Sequence, residues 1–152
     1  MRKIIFGAFA VFAVLWISMG SSAFDKPMLS DTEYFPIKQK DSTLAKSMER
    51  GAGVYHNFCT QCHLENGEGV ASTFPPLADA DYLLENREKS IHAVKYGLQG
   101  EITVNGETYN GMMASPGLYD DEIADVMNYI LNSWGNESKT MVTEEEVASI
   151  EE

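Results

Sequence analysis

The chain has 152 residues, a formal net charge of −12 and 44% hydrophobic side chains, which is enough for one packed domain with tails. So acidic a balance argues against nucleic acid or an anionic membrane as partner, and it permits steering toward a basic docking surface. Both cysteines lie in one pentapeptide, which leaves no second pair for a four-cysteine structural zinc site.

Residues 1–23 read as an export signal. Arg2 and Lys3 make a positive start, Ile4 to Met19 is apolar, and Gly20-Ser21-Ser22-Ala23 supplies the small residues that a signal peptidase reads. The apolar run of 16 residues is shorter than the roughly 20 of a spanning helix. Cleavage after Ala23 is therefore expected rather than an uncleaved helix anchored in the inner membrane, and with it a periplasmic location without stable membrane insertion. Cleavage removes two positive charges and no negative one. Residues 24–46 follow as an extended lead-in with two prolines and no sustained period.

A first helix is expected from near Ser42 or Ser47 to about Phe58, because Met48, Gly51, Ala52, Tyr55 and Phe58 recur at three and four. Gly51 inside a helix costs about 1 kcal/mol relative to Ala, so close approach of another helix is the natural reason for it. Then comes Cys59-Thr60-Gln61-Cys62-His63. Cys-x-x-Cys-His is the attachment signature of a c-type haem. Two cysteines about one helical turn apart can reach the two vinyl groups on one porphyrin edge, and the next residue sets an imidazole under the iron. A thioredoxin-like redox disulfide would need a βαβ context that is not found here. The expected cofactor is one haem c, covalently attached, with His63 as an iron ligand.

Downstream, Leu64 to Gly69 is a polar, glycine-rich loop, and Phe74-Pro75-Pro76-Leu77 is an extended turn. Asp79 is a candidate cap for a short helix over 81–86. A second amphipathic stretch over 89–96 ends at Gly97 and Gly100. Ile102, Val104 and Thr108, with the turn signal Asn105-Gly106, predict a small β-like excursion over 101–109. Residues 110–117 read as an irregular loop. From Asp120 to Trp134, Ile123, Val126, Met127, Ile130, Leu131 and Trp134 form an amphipathic stripe. Residues 137–152 read as an acidic C-terminal tail, in which Thr143 and Glu146 match a capping box.

A haem iron held by one histidine needs a sixth ligand or stays open. His56 is too near Cys59 to reach the other haem face, and His92 is a lone histidine on a predicted helix. Met48 and Met127 read as packing residues. Met112 and Met113 sit on a glycine-flanked stretch from which a thioether can be presented. Methionine ligation raises the reduction potential and blocks exogenous ligands.

The order of these features resembles class I cytochrome c, in particular the small bacterial monohaem type. The features are Gly-x-x-x-Tyr on a helix, Cys-x-x-Cys-His, a Pro-Leu loop, Tyr-x-Gly-x-Met, and a last helix ending in Trp-Gly-Asn. The resemblance covers about residues 47–136. It implies an all-α fold with crossing N- and C-terminal helices and three to five helices around the haem. It also implies thioether bonds at Cys59 and Cys62, with His63 as proximal ligand. By register in Tyr109-Asn110-Gly111-Met112-Met113 it points to Met113 as the second ligand. The family usually has Pro next where this chain has Ala114, which keeps Met112 as the alternative. Gly51 and Tyr55 would pack against Val126 and Tyr129, and a carbonyl of the Pro75–Pro76 loop would accept the other ring proton of His63. Leu77, Ile91, Val94, Leu98 and Ile130 are the candidate pocket wall.

The expected function is one-electron transfer with no catalytic residue. The partners would be redox proteins, such as a donor dehydrogenase or a terminal oxidase or reductase. The alternative is a cytochrome c subunit of a periplasmic dehydrogenase or reductase complex. A peroxidase or gas sensor would need an open iron, which ready binding of CO by the reduced protein would reveal.

Overall fold

A computed structural model describes residues 43–152 of the chain. The signal over 1–23 and the lead-in up to residue 42 lie outside the described residues. Helix α1 spans Leu44–Phe58 and is followed by the single turn α2, Thr60–His63. Short α3 is Asp81–Glu85, and α4 is Arg87–Tyr96. Strands β1, Leu98–Val104, and β2, Glu107–Met113, form an antiparallel hairpin. Helix α5 is Asp120–Ile130, and α6 is Glu144–Ala148.

The frame is the pair α1 and α5. Ser47, Gly51 and Tyr55 are the buried residues of α1, spaced by four so that they share one face. Gly51 is where the helices meet. A Cβ there would fall on the Asp125 carbonyl and 2.9 Å from Tyr129 Cβ. The partner of Gly51 is thus the Asp125 backbone with Tyr129, one residue before the expected Val126. Tyr55 meets Tyr129 at 5.6 Å and Trp134 at 4.8 Å between ring centroids, and Trp134 sits edge-on to Tyr129. Such tilted pairs place ring edges against faces, the favoured electrostatic arrangement.

Buried polar groups pin the same joint. Asp125 accepts from Ser47 Oγ at 2.7 Å and from Arg50 Nε at 2.6 Å. Asn128 Nδ2 donates to Ser47 Oγ and to the Val142 carbonyl, while its Oδ1 accepts from Val142 N–H. Unpaired, these groups would carry a large desolvation cost; among the described residues no buried side-chain nitrogen or oxygen lacks a partner.

Four expectations change. Helix α5 stops at Ile130, before the predicted Trp134. Asn136 Nδ2 donates to the carbonyls of Ile130 and Leu77, and Trp134 turns with φ +52° so that its carbonyl accepts from Asp79 N–H. Side-chain amides thus replace the next helical bonds. Asp79 does not cap α3, which starts after Ala80, and Asp81 Oδ1 accepts from Tyr82 N–H instead. The β excursion is a full hairpin of seven residues per strand, turning through Asn105 at φ +53° and Gly106 at φ +79°. Two successive positive φ values match the right-handed twist of paired strands. Residues 110–113, expected as loop, are therefore strand.

The fourth change concerns 137–152. Val142, Val147 and Ile150 belong to the core, and each buried aliphatic contributes about 1.5–3 kcal/mol. Arg87 holds Glu146 through two bonds, at 2.6 and 2.8 Å. Thr143 caps α6 by accepting from Glu146 N–H, as its capping box predicts. The acidic residues stay outward while the apolar ones seat this segment on the domain, so it is not a solvated tail.

Candidate cofactor site

Between α2, α5 and the hairpin lies a cleft that gathers Cys59, Cys62 and His63 with Met112 and Met113. One wall is the turn from α1 to α2. Cys59 ends α1, and its carbonyl accepts from both Cys62 and His63 N–H, at 3.2 and 2.9 Å. The turn is locked by Tyr55, whose hydroxyl donates to the Leu64 carbonyl at 2.7 Å. Desolvation pushes the Cys59 thiol up to about 11, with the nearby Cys62 adding to it. The two cysteines form no disulfide.

His63 is buried, and its Nδ1 lies 3.0 Å from the Pro75 carbonyl. A carbonyl can only accept, so Nδ1 carries the proton and the Nε2 lone pair is left for another partner. Burial lowers the histidine's pKa, against the opposing pull of the Pro75 bond. The ring is thereby kept neutral, the form a metal requires. The loop that delivers Pro75 folds back through Gly67, whose carbonyl accepts from Leu77 and Ala78 N–H. Gly69, at φ +64°, passes so close that a Cβ would strike the Phe74 carbonyl and lie 2.6 Å from the Pro75 oxygen.

The hairpin is a second wall. Along β1 the exposure alternates, and Leu98, Gly100, Ile102 and Val104 turn inward. Their ladder partners on β2 are Met113, Gly111, Tyr109 and Glu107. Successive strand residues face opposite sides, so Met113 shares the cleft face with buried Tyr109, while Met112 pairs with outward Gln99. Met112 is 76% exposed and touches only the rim, whereas Met113 is half-buried. Val126, Met127 and Ile130 of α5 form an apolar floor.

Of the other candidate ligands, the two histidines and Met48 are absent from the cleft lining. His56 is exposed near Glu65, and His92 packs against Tyr96. Met48 is absent from the lining, while Met127 is in it as a buried floor residue. Leu77, Val94, Leu98 and Ile130 line the cleft as expected, but Ile91 is fully buried in the core behind it. Sequence reasoning missed Tyr109 as a wall residue, although its even spacing from Met113 would have shown it once the strand was known. A haem c fits this donor set. Two thiols and a neutral imidazole with a free Nε2 share one turn, a thioether enters from another wall, and apolar side chains make up most of the rest.

A family model described as cytochrome c matches residues 48–134. A cytochrome c-552 of Thermus thermophilus is 45% identical over 101 residues, which span 63% of this chain and 68% of that protein. A second cytochrome c-552 of the same species is 46% identical over 94 residues, spanning 59% and 71%. The cytochrome c subunit of a quinone alcohol dehydrogenase from Gluconacetobacter polyoxogenes is 33% identical over 105 residues, which are 66% of this chain but only 22% of that subunit.

Proposed function

The chain belongs to the cytochrome c family, and we propose that it holds its haem c through thioethers at Cys59 and Cys62, with His63 and Met113 as the axial ligands. Its function is electron transfer. The bound haem supplies the Fe(III)/Fe(II) couple, and the chain supplies the setting. His63 is presented neutral and in one orientation by Pro75, which also raises its basicity. The apolar floor of Val126, Met127 and Ile130 excludes water and disfavours the added positive charge of the ferric state. Met113 fills the position where an exogenous ligand would otherwise bind.

The observation that carries the choice of Met113 is strand alternation, which turns it inward with Tyr109 and Met112 outward. The test is the weak far-red absorption band of a thioether on ferric haem. Met113→Ala abolishes it and opens the reduced protein to CO, while Met112→Ala keeps it. The reverse pattern would place the ligand at Met112.

A periplasmic, single-haem carrier is the reading best supported. The export signal over 1–23 argues for the compartment. The match is higher in identity and spans more of the relative's own length for the Thermus proteins, whose names carry no subunit designation, than for the dehydrogenase subunit, which supports a free carrier. Its partners would then be a donor dehydrogenase and a terminal oxidase or reductase. Co-purification with a catalytic subunit would instead favour the complex.

A further inference from the structure

We propose that Lys95 is a positioning residue for the methionine wall, coupling the C-terminal segment to the end of strand β2; this rests on the reading of Met113 as an axial ligand. The side chain of Lys95 is largely buried, at 15% exposure. Its ammonium donates to the Val147 carbonyl at 2.8 Å and the Ile150 carbonyl at 3.3 Å, and it faces Asp120 Oδ1 at 3.4 Å. One cation therefore gathers the end of α6, the start of α5 and the last turn of α4. Tyr96 repeats the link, its hydroxyl donating to the Ile150 carbonyl at 2.9 Å.

The backbone of the same residue holds the other end. The Lys95 carbonyl accepts from Ser115 Oγ at 2.8 Å, two residues beyond Met113. At neighbouring Gly97, with φ +94°, a Cβ would lie 2.7 Å from the Met113 carbonyl and 3.2 Å from Ser115 N. Residues 113–115 thus lie directly against the end of α4. Ala114 stands where the family usually has a stiffening proline, so the hold on this stretch comes from outside it. Lys95 supplies that hold by fixing the helix end on which the stretch rests.

The consequence concerns local opening. A thioether that leaves the iron does so when residues 113–115 lift from α4, and an added ligand binds in proportion to the population of that open form. The experiment is an imidazole titration of the full-length ferric holoprotein at fixed pH, followed by loss of the far-red band. Lys95→Met keeps the stem and removes the cation, whereas Ser115→Ala keeps the cation and cuts the link to the carbonyl, together with the longer bond that Ser115 Oγ accepts from Gly117 N–H at 3.3 Å. Each tightens imidazole binding about fivefold, the worth of one hydrogen bond. Ile123→Val, in the core outside the cleft, lowers the melting temperature and leaves imidazole binding unchanged. A normal band with wild-type imidazole affinity in both variants overturns the role of Lys95, as does an equal shift in Ile123→Val. A far-red band that survives Met113→Ala overturns the ligand reading and the proposal with it.

Discussion

The Nδ1–H of His63 donates to the Pro75 carbonyl at 3.0 Å, and the chain at Gly69 lies close enough to set where that carbonyl sits. Gly69→Ala both strains a backbone at φ +64° and pushes against the Pro75 oxygen. With His63 as the proposed iron ligand, weakening this bond would make it a poorer electron donor to the iron and destabilise the ferric state. The reduction potential of the variant should rise, as read by redox titration, alongside a stability loss of about 1–3 kcal/mol. An unchanged potential would show that the Pro75 bond does not tune the ligand.

Two glycines of α1 should respond in opposite directions. Gly51→Ala drives a methyl into the Asp125 backbone, an overpacking that costs about 1–3 kcal/mol or more because main chain cannot step aside. Gly53 faces open space, so Gly53→Ala should stabilise by about 0.5–1 kcal/mol through helix propensity. Urea unfolding of both variants measures the contrast.

The Arg87–Glu146 pair should make the seating of the C-terminal segment acid-sensitive. The Arg87 guanidinium holds the Glu146 carboxyl below the usual carboxylate range. A depressed folded-state pKa gives stability that is present above the unfolded value, about 4.3, and is lost as pH falls through the lower folded value. Glu146→Gln should therefore cost about 1 kcal/mol near neutrality and progressively less as acid titrates the wild type. Urea unfolding at neutral pH and at about pH 3 checks the sign; a difference that grows in acid would reject it.

Charge at the cleft should select its redox partners. Segments 51–86 and 97–138 supply most of the cleft lining and contain no Lys or Arg. Glu101 lies on the outer face of the hairpin, and Phe58 and Met112 are exposed at the cleft. Reduction of the ferric protein by hexaammineruthenium(II) should slow as ionic strength rises from about 0.01 to about 0.15 M and the Debye length shrinks. Glu101→Lys should weaken that dependence more than Glu152→Lys. Equal effects would assign the steering to net charge alone.

Much of the site was legible in the sequence because its chemistry is local. The attachment pentapeptide lies within one helical turn, and Gly51 and Tyr55 mark a helix face by their spacing. Asn105-Gly106 announced its turn. What escaped were features decided at a distance. Helix α5 ends early because Asn136 bonds the Leu77 and Ile130 carbonyls, a competition invisible to periodicity. Residues 137–152 read as an acidic tail because charge dominates their composition, yet Val142, Val147 and Ile150 pack into the core of the domain.

The sequence by itself determined covalent haem attachment, the neighbouring histidine and the helical frame, since each follows from residues a turn or two apart. For the second ligand, loop register pointed to Met113, with the adjacent Met112, of identical side chain, as the alternative. What only the tertiary structure decided is which of the two faces inward, because a strand sends successive side chains to opposite faces. Pairing with Leu98 to Val104 establishes which face meets the cleft.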